Sequence, residues 1–254
     1  MILIRDKKMI LVRDKKIFDI EKFSENIFFR EELLNSLSGS NSYSTSIELL
    51  IMKFVCNESF EKLVTFLDQS LSFDNLYKKK QGNLYKINQE KYPNHEYFHQ
   101  EIWVILAFSY GLNISQPLWN KLCKLLAPPG SEWLVDTLIS QKKTNWEIGD
   151  LEQWRESPTG KRFNWLYDFI QTSDSQFALK HLKKWHSNAN KAHFRRMVGY
   201  GVLATDPNVK YEYYIGQFSF ELAVVVMAFD IDDSEFREDI YYPKELVDHW
   251  QKNK

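Results

Sequence analysis

Glycine and proline are scarce, with nine and seven in 254 residues. An all-β design needs frequent turns, which those residues supply, so it is excluded. Cysteine is scarcer still: Cys56 and Cys123 lie far apart in apolar surroundings, and no Cys-x-x-Cys spacing occurs. That excludes a zinc ribbon or a dithiol redox motif and points to two reduced core thiols in a cytosolic protein. The longest apolar run, Leu222–Phe229, falls far short of the roughly 20 residues that a membrane helix needs. The opening MILIRDKK is too briefly apolar and too soon charged for a secretory signal. Net charge is also nearly absent, at −1, and names no partner by itself. The expectation is a soluble, cytoplasmic protein.

Apolar side chains, by contrast, are plentiful. Hydrophobic residues make up 44% and aromatics 15%, enough for a sizeable core. Most of the chain reads at helical period. Ile20, Phe23, Ile27, Phe28 and Leu34 fall on one helix face, and Ser38–Ser46 reads as a polar loop. Ile47–Leu76 reads as a long helical stretch broken near Asn57, and Lys78–Asn83 as a charged turn. Further helices are expected after Pro93, over Pro117–Leu126, Glu132–Ser140, Phe163–Ile170 and Gln176–Trp185, around Tyr213–Phe229, and after Pro243. Thr144–Gly160, with Trp146 and Trp154, reads as a packed loop. The fold class is therefore all-α, a compact multi-helix bundle of two packed helical halves. Pro128-Pro129-Gly130 is the strongest breaker and the natural seam. The division is 1–8, 9–127 and 128–254. Residues 1–8 are the first copy of a tandem octapeptide, MILIRDKK then MILVRDKK, which makes Met9 rather than Met1 the expected native start.

One enzyme motif needs weighing. His95-Glu96-Tyr97-Phe98-His99 is H-E-x-x-H, in which two histidines one helical turn apart can share a zinc ion and the Glu can deprotonate its water. It sits, however, in the first turn after Pro93-Asn94, and Glu101 is charged where zinc-protease helices are apolar. Ile102 and Ile105 occupy the positions of the extended motif's Gly and third His. Glu132 could serve as a downstream ligand, but so could many glutamates. Asn94 as a helix cap, with Glu96 favoured by the helix dipole, accounts for the string without metal. No G-x-S-x-G and no phosphate-cradling glycine loop occurs.

Charge is polarised along the chain. Leu179–Arg196 carries Lys183, Lys184, Arg195, Arg196 and Trp185, which a nucleic-acid binder could use for phosphates and stacking. An amphipathic helix with Leu179, Leu182 and Trp185 inward and the lysines in water is the favoured reading. Tyr211–Trp250 holds ten acids against Arg237 and Lys244, a net −8. Such a surface attracts a basic partner and repels nucleic acid. Part of it has an architectural reading: Asp232 as N-cap, Glu235 at N3, and Ile231 and Phe236 as a hydrophobic staple. Glu221 is expected to find a buried donor. Calcium would need denser oxygens and a turn glycine. Glu235, Glu238 and Asp239, with Glu212, Asp233 and Tyr214, are the candidates for partner contact.

Ser219–Val247, SFELAVVVMAFDIDDSEFREDIYYPKELV, resembles the C-terminal signature of the PoNi immunity proteins. Gly216, Ser219, Phe220, Glu221, Asp232, Asp233, Ser234, Tyr241, Tyr242, Pro243 and Leu246 match it; Gln217, Phe218 and Glu245 depart mildly. LKKWHSNANKAHF resembles the Trp-containing stretch upstream, and the start at Met9 resembles the family's usual beginning. The resemblance implies a helical cytosolic protein that binds and neutralises a PoNe-type DNase toxin delivered between bacteria, often by type VI secretion. It implies no catalytic residues, cofactor or metal, and its motif residues are expected to hold the fold. A homodimer is compatible with this reading. The rivals are a zinc peptidase using His95, Glu96 and His99, and a nucleic-acid-binding module using Leu179–Arg196.

Overall fold

The structure is a computed structural model that describes residues 27–28, 31–32, 34, 40–81, 96–126, 128–188 and 218–254. Among these residues no strand occurs, and the fold is an all-α bundle. Its helices are α1 Ser40–Val55, α2 Phe60–Gln81, α3 Glu96–Gly111, α4 Gln116–Cys123 and α5 Trp133–Ser140. They continue with α6 Leu151–Glu156, α7 Pro158–Thr172, α8 Ser175–Asn188, α9 Phe220–Phe229 and α10 Lys244–Asn253.

Two helices form the centre. Every α9 residue from Phe220 to Met227 is buried, and so is every residue of Ile102–Leu112. A helix that is apolar all round has no solvent face and must lie inside. α9 and α3 accordingly pack against each other, with α10 on both. α1 and α2 pair on one flank, α1 also touching α3; α7 and α5 cover α9 elsewhere, α7 carrying α6 and α8. Ring contacts tie the centre together: Phe108 lies edge-on to Phe54 at 5.5 Å and tilted to Phe220 at 5.6 Å. Each such side chain contributes about 1.5–3 kcal/mol on burial.

α10 seats on α3 because Gly111 leaves room. A Cβ there would lie 2.4 Å from Leu246 Cδ1. The seat is fixed by His249 Nδ1, 2.8 Å from the Gly111 carbonyl oxygen, and by Asn113, which donates to Asn253 O at 2.8 Å.

Several boundaries differ from expectation. Ser40–Ser46 is the start of α1 rather than a loop. Ile47, Leu49, Leu50 and Met52 are fully buried just beyond it, and that burial outweighs the roughly 0.5 kcal/mol per residue by which Ser, Thr and Asn disfavour helix. α2 likewise runs through Lys78–Gln81, residues that favour helix. The break at Asn57 is present, with φ 57° in the left-handed region. Leu151–Glu156, expected as loop, is helical because the Asp150 carboxylate caps it, accepting from Gln153 N at 2.7 Å. α9 begins at Phe220, not Tyr213: Phe218 and Ser219 are non-helical, and Ser219 N donates to Tyr241 O at 2.7 Å. The tandem start and Met9 lie outside the described residues. Cys56 and Cys123 are free thiols, and burial pushes Cys56 up to about 11, well into the unreactive range.

Candidate partner-binding surface

α9 ends at Asp230, whose left-handed backbone (φ 54°) turns the chain and whose N–H returns to Val226 O. Asp230–Tyr242 then runs as consecutive turns, not as a capped helix. The capping box is therefore a misreading. Asp232 accepts instead from Ser234, through its N–H at 3.0 Å and its hydroxyl at 2.9 Å, a local Asx turn. Those two donors hold the Asp232 carboxyl below the usual aspartate range. Glu235 does not reach back; its Oε2 accepts from Ser175 Oγ at 2.6 Å, across to the start of α8. Ile231 and Phe236 are both buried, and Phe236 packs edge-on against Phe169 and Tyr242.

The inner side of these turns is polar as well as apolar. Asp233, expected to face a partner, is only 2% exposed. Its Oδ1 receives Arg237 Nη1 at 2.7 Å, while Arg237 Nη2 reaches Asp248 on α10. A buried carboxylate needs such a partner, since leaving it unpaired costs several kcal/mol. Burial, followed by the nearby Asp233 charge, holds the Tyr242 hydroxyl well above the ordinary tyrosine range.

Asp239 also faces largely inward. It accepts from Tyr241 N at 2.9 Å and meets His186 Nε2 at 2.8 Å, with 18% of its side chain exposed. Glu238 is 75% exposed and pairs with Lys244; Asp230 pairs with Lys254. Glu235, Glu238 and Asp239 thus all have intramolecular partners. The side chains that do face outward are Asp230, Asp232, Glu235, Glu238 and Glu245. The Ser175–Glu235 contact brings exposed Asp174 from the α7–α8 junction to the same edge. No local pattern marks Asp174, because sixty residues separate the two sides of that contact.

Glu221 is 6% exposed and finds its expected partner in His181 Nε2, at 2.9 Å. Trp185 Nε1 lies 3.0 Å from the same nitrogen, and Trp165 stacks on the imidazole at 3.9 Å. α8 is therefore tied to the C-terminal segment at Ser175, His181 and His186. Its Leu182 and Trp185 are buried and Lys180 and Lys183 exposed, the amphipathic arrangement expected. Ser219, Phe220, Tyr241, Tyr242 and Pro243 are buried, while Ser234 is exposed and serves the Asp232 turn. Glu212, Tyr214, Gly216, Arg195, Arg196 and His95 lie outside the described residues, as do the side chains of Glu96 and His99.

Glu132, the downstream zinc candidate, is engaged elsewhere. It caps α5 through Val135 N at 2.7 Å and accepts Trp154 Nε1 at 2.5 Å. Among the described residues no three metal-ligating side chains converge.

Residues 130–246 match the family model for the C-terminal region of PoNe immunity proteins (PoNi). That stretch, 117 of the 254 residues, is similar to the PoNi family. The matched region opens within the Pro-Pro-Gly break and takes in α5 to α9, the acidic turns and the first residues of α10. Searches of curated proteins and of solved structures found no significant match. Immunity proteins of the PoNi family are directed against PoNe nuclease effectors. Among the described residues no helix is long and apolar enough to cross a membrane.

Proposed function

We propose that this chain is a stoichiometric, non-catalytic inhibitor acting in the cytoplasm on a PoNe-type DNase effector, one delivered between bacteria by type VI secretion or a similar route. A DNase must present a cationic cleft to phosphate. An anionic surface of matching shape competes for that cleft, with charge steering the encounter. The observation that carries this reading is the exposure of the carboxylates at Asp232, Glu235, Glu238 and Glu245, on a segment whose Ile231, Asp233 and Phe236 are buried. Asp233 is no longer among the contacts, and Asp239 supports the turn from within. The same negative surface disfavours direct contact with DNA. Inhibition needs no cofactor or metal, and a monomer suffices.

The test is the triple substitution Glu235→Lys/Glu238→Lys/Glu245→Lys, which takes Tyr211–Trp250 from −8 to −2 while leaving every buried carboxylate in place. Protection of cells expressing the nuclease is expected to be lost and affinity to fall about 100-fold or more, with helix content unchanged. Unaltered protection by the folded triple variant would remove this surface from the interface.

A further inference from the structure

Asp230–Asp239 contains six carboxylates and a single cation, Arg237. The stretch has no helix to stiffen it, and its like charges repel. Its turns are nonetheless closed by backbone bonds: Phe236 N and Arg237 N both to Asp233 O at 3.0 and 2.8 Å, and Asp239 N to Phe236 O at 3.0 Å. Asp233 is thus the hub of the turns, through both its carbonyl and its carboxylate. Arg237 is what holds that hub. One arm of its guanidinium takes buried Asp233 and the other takes Asp248. A guanidinium suits this role, because its fork meets two carboxylates at once and stays charged at every relevant pH.

We infer that Arg237 is a positioning residue for partner binding: by bridging Asp233 to Asp248 on α10, it holds the Asp232–Asp239 turns in the shape in which Glu235 and Glu238 meet a basic partner. The inference rests on the docking reading above and adds that this surface is preorganised. Ordering the turns before encounter removes a cost that binding otherwise carries. If only a fraction of molecules hold the competent shape, apparent affinity falls by that fraction, through the association rate.

Charge gives the test its sign. Arg237→Gln makes the segment more negative by one, so steering alone predicts faster association with a cationic nuclease. Loss of the bridge predicts slower association. Asp233→Asn/Arg237→Gln keeps the net charge and leaves no buried ion unpaired, so it serves as the folded control. The measurements are stopped-flow association and dissociation with a catalytically inactivated PoNe-type nuclease against which the chain protects cells, and amide hydrogen exchange of the free protein. Both variants are expected to associate about 10-fold more slowly, with dissociation changed less than about 3-fold. Exchange should accelerate about 10-fold at Ser234–Tyr242 while α9 keeps its protection.

Association that is unchanged or faster overturns the inference, as does exchange that rises uniformly through α9 and α3, which marks a merely structural role. The Glu235/Glu238/Glu245 reversal separates the two readings. If it weakens binding while both Arg237 variants bind as wild type does, only the positioning role fails; if it binds as wild type does, the docking surface fails with it.

Discussion

Glu132 shows how one side chain can tie two helices together. Its carboxylate caps α5 and accepts the Trp154 indole from α6, while its own N–H donates to Asp136 Oδ2 at 2.9 Å. Asp136 in turn accepts the Trp146 indole at 2.7 Å and Gly149 N at 3.2 Å. Burial is the main reason that Glu132 rises to about 7 from 4.5, with the Asp136 charge adding to it; burial also raises Asp136. A raised carboxyl pKa means that the folded protein binds this proton more tightly than the unfolded chain does. The contribution is complete below about pH 4.5 and is lost as pH climbs to about 7. Stability should therefore decline across that window by an amount on the order of 3 kcal/mol. Glu132→Gln is expected to flatten the decline, read as thermal midpoints measured from pH 5 to 8. An equal slope in the variant would show that Glu132 does not carry it. The sequence supplied Glu132 as a helix start and the two tryptophans as packed; the indole–carboxylate pairings join residues ten and twenty-two apart and need the folded chain to be seen.

At the scale of elements, apolar periodicity located most helices and misjudged those that begin on polar residues. Ser40–Ser46 and Leu151–Glu156 lack an apolar stripe of their own, and it is burial farther along or a single Asp150 cap that keeps them helical. The reverse error occurred at Asp232–Phe236, where a complete capping pattern exists but no helix follows. Asp232 is taken locally by Ser234, and Glu235 by Ser175 sixty residues away, so competing hydrogen bonds defeat the box. The α6–α7 joint shows how tightly such junctions can be packed. Ser157 Oγ accepts from Gly160 N at 3.0 Å, Pro158 opens α7, and a Cβ on Gly160 would stand 1.9 Å from the Trp154 carbonyl oxygen. Backbone cannot yield as a flexible side chain would. Gly160→Ala is expected to cost about 3 kcal/mol in urea unfolding, against about 1 kcal/mol for Ser157→Ala, which loses only the cap. Equal costs for the two would mean that the joint opens freely.

Over the whole molecule, the charge imbalance visible in the sequence is arranged in two layers that sequence alone cannot sort. The inner layer pairs buried Asp233 with half-buried Arg237, and breaking it is expensive. The outer layer, Glu238 with Lys244 and Asp230 with Lys254, is largely in water, where such pairs are worth about 0–1 kcal/mol. Counting acids from Tyr211 to Trp250 placed buried Asp233 at the surface and omitted exposed Asp174. Alternation of buried and exposed carboxylates through irregular turns has no period to read. The outer lysines partly mask the surface they pair with, and they can be released cheaply when a partner's cations arrive. Lys244→Gln should accordingly leave the thermal midpoint within about 1 °C, since its pair contributes so little. With one positive charge removed beside Glu238, association with a PoNe-type nuclease should speed up about 2- to 3-fold at 50 mM salt and show no gain at 500 mM, where screening acts over a few ångströms. A slower association at low salt would make Lys244 part of the contact itself and would reverse the assignment of the outer layer.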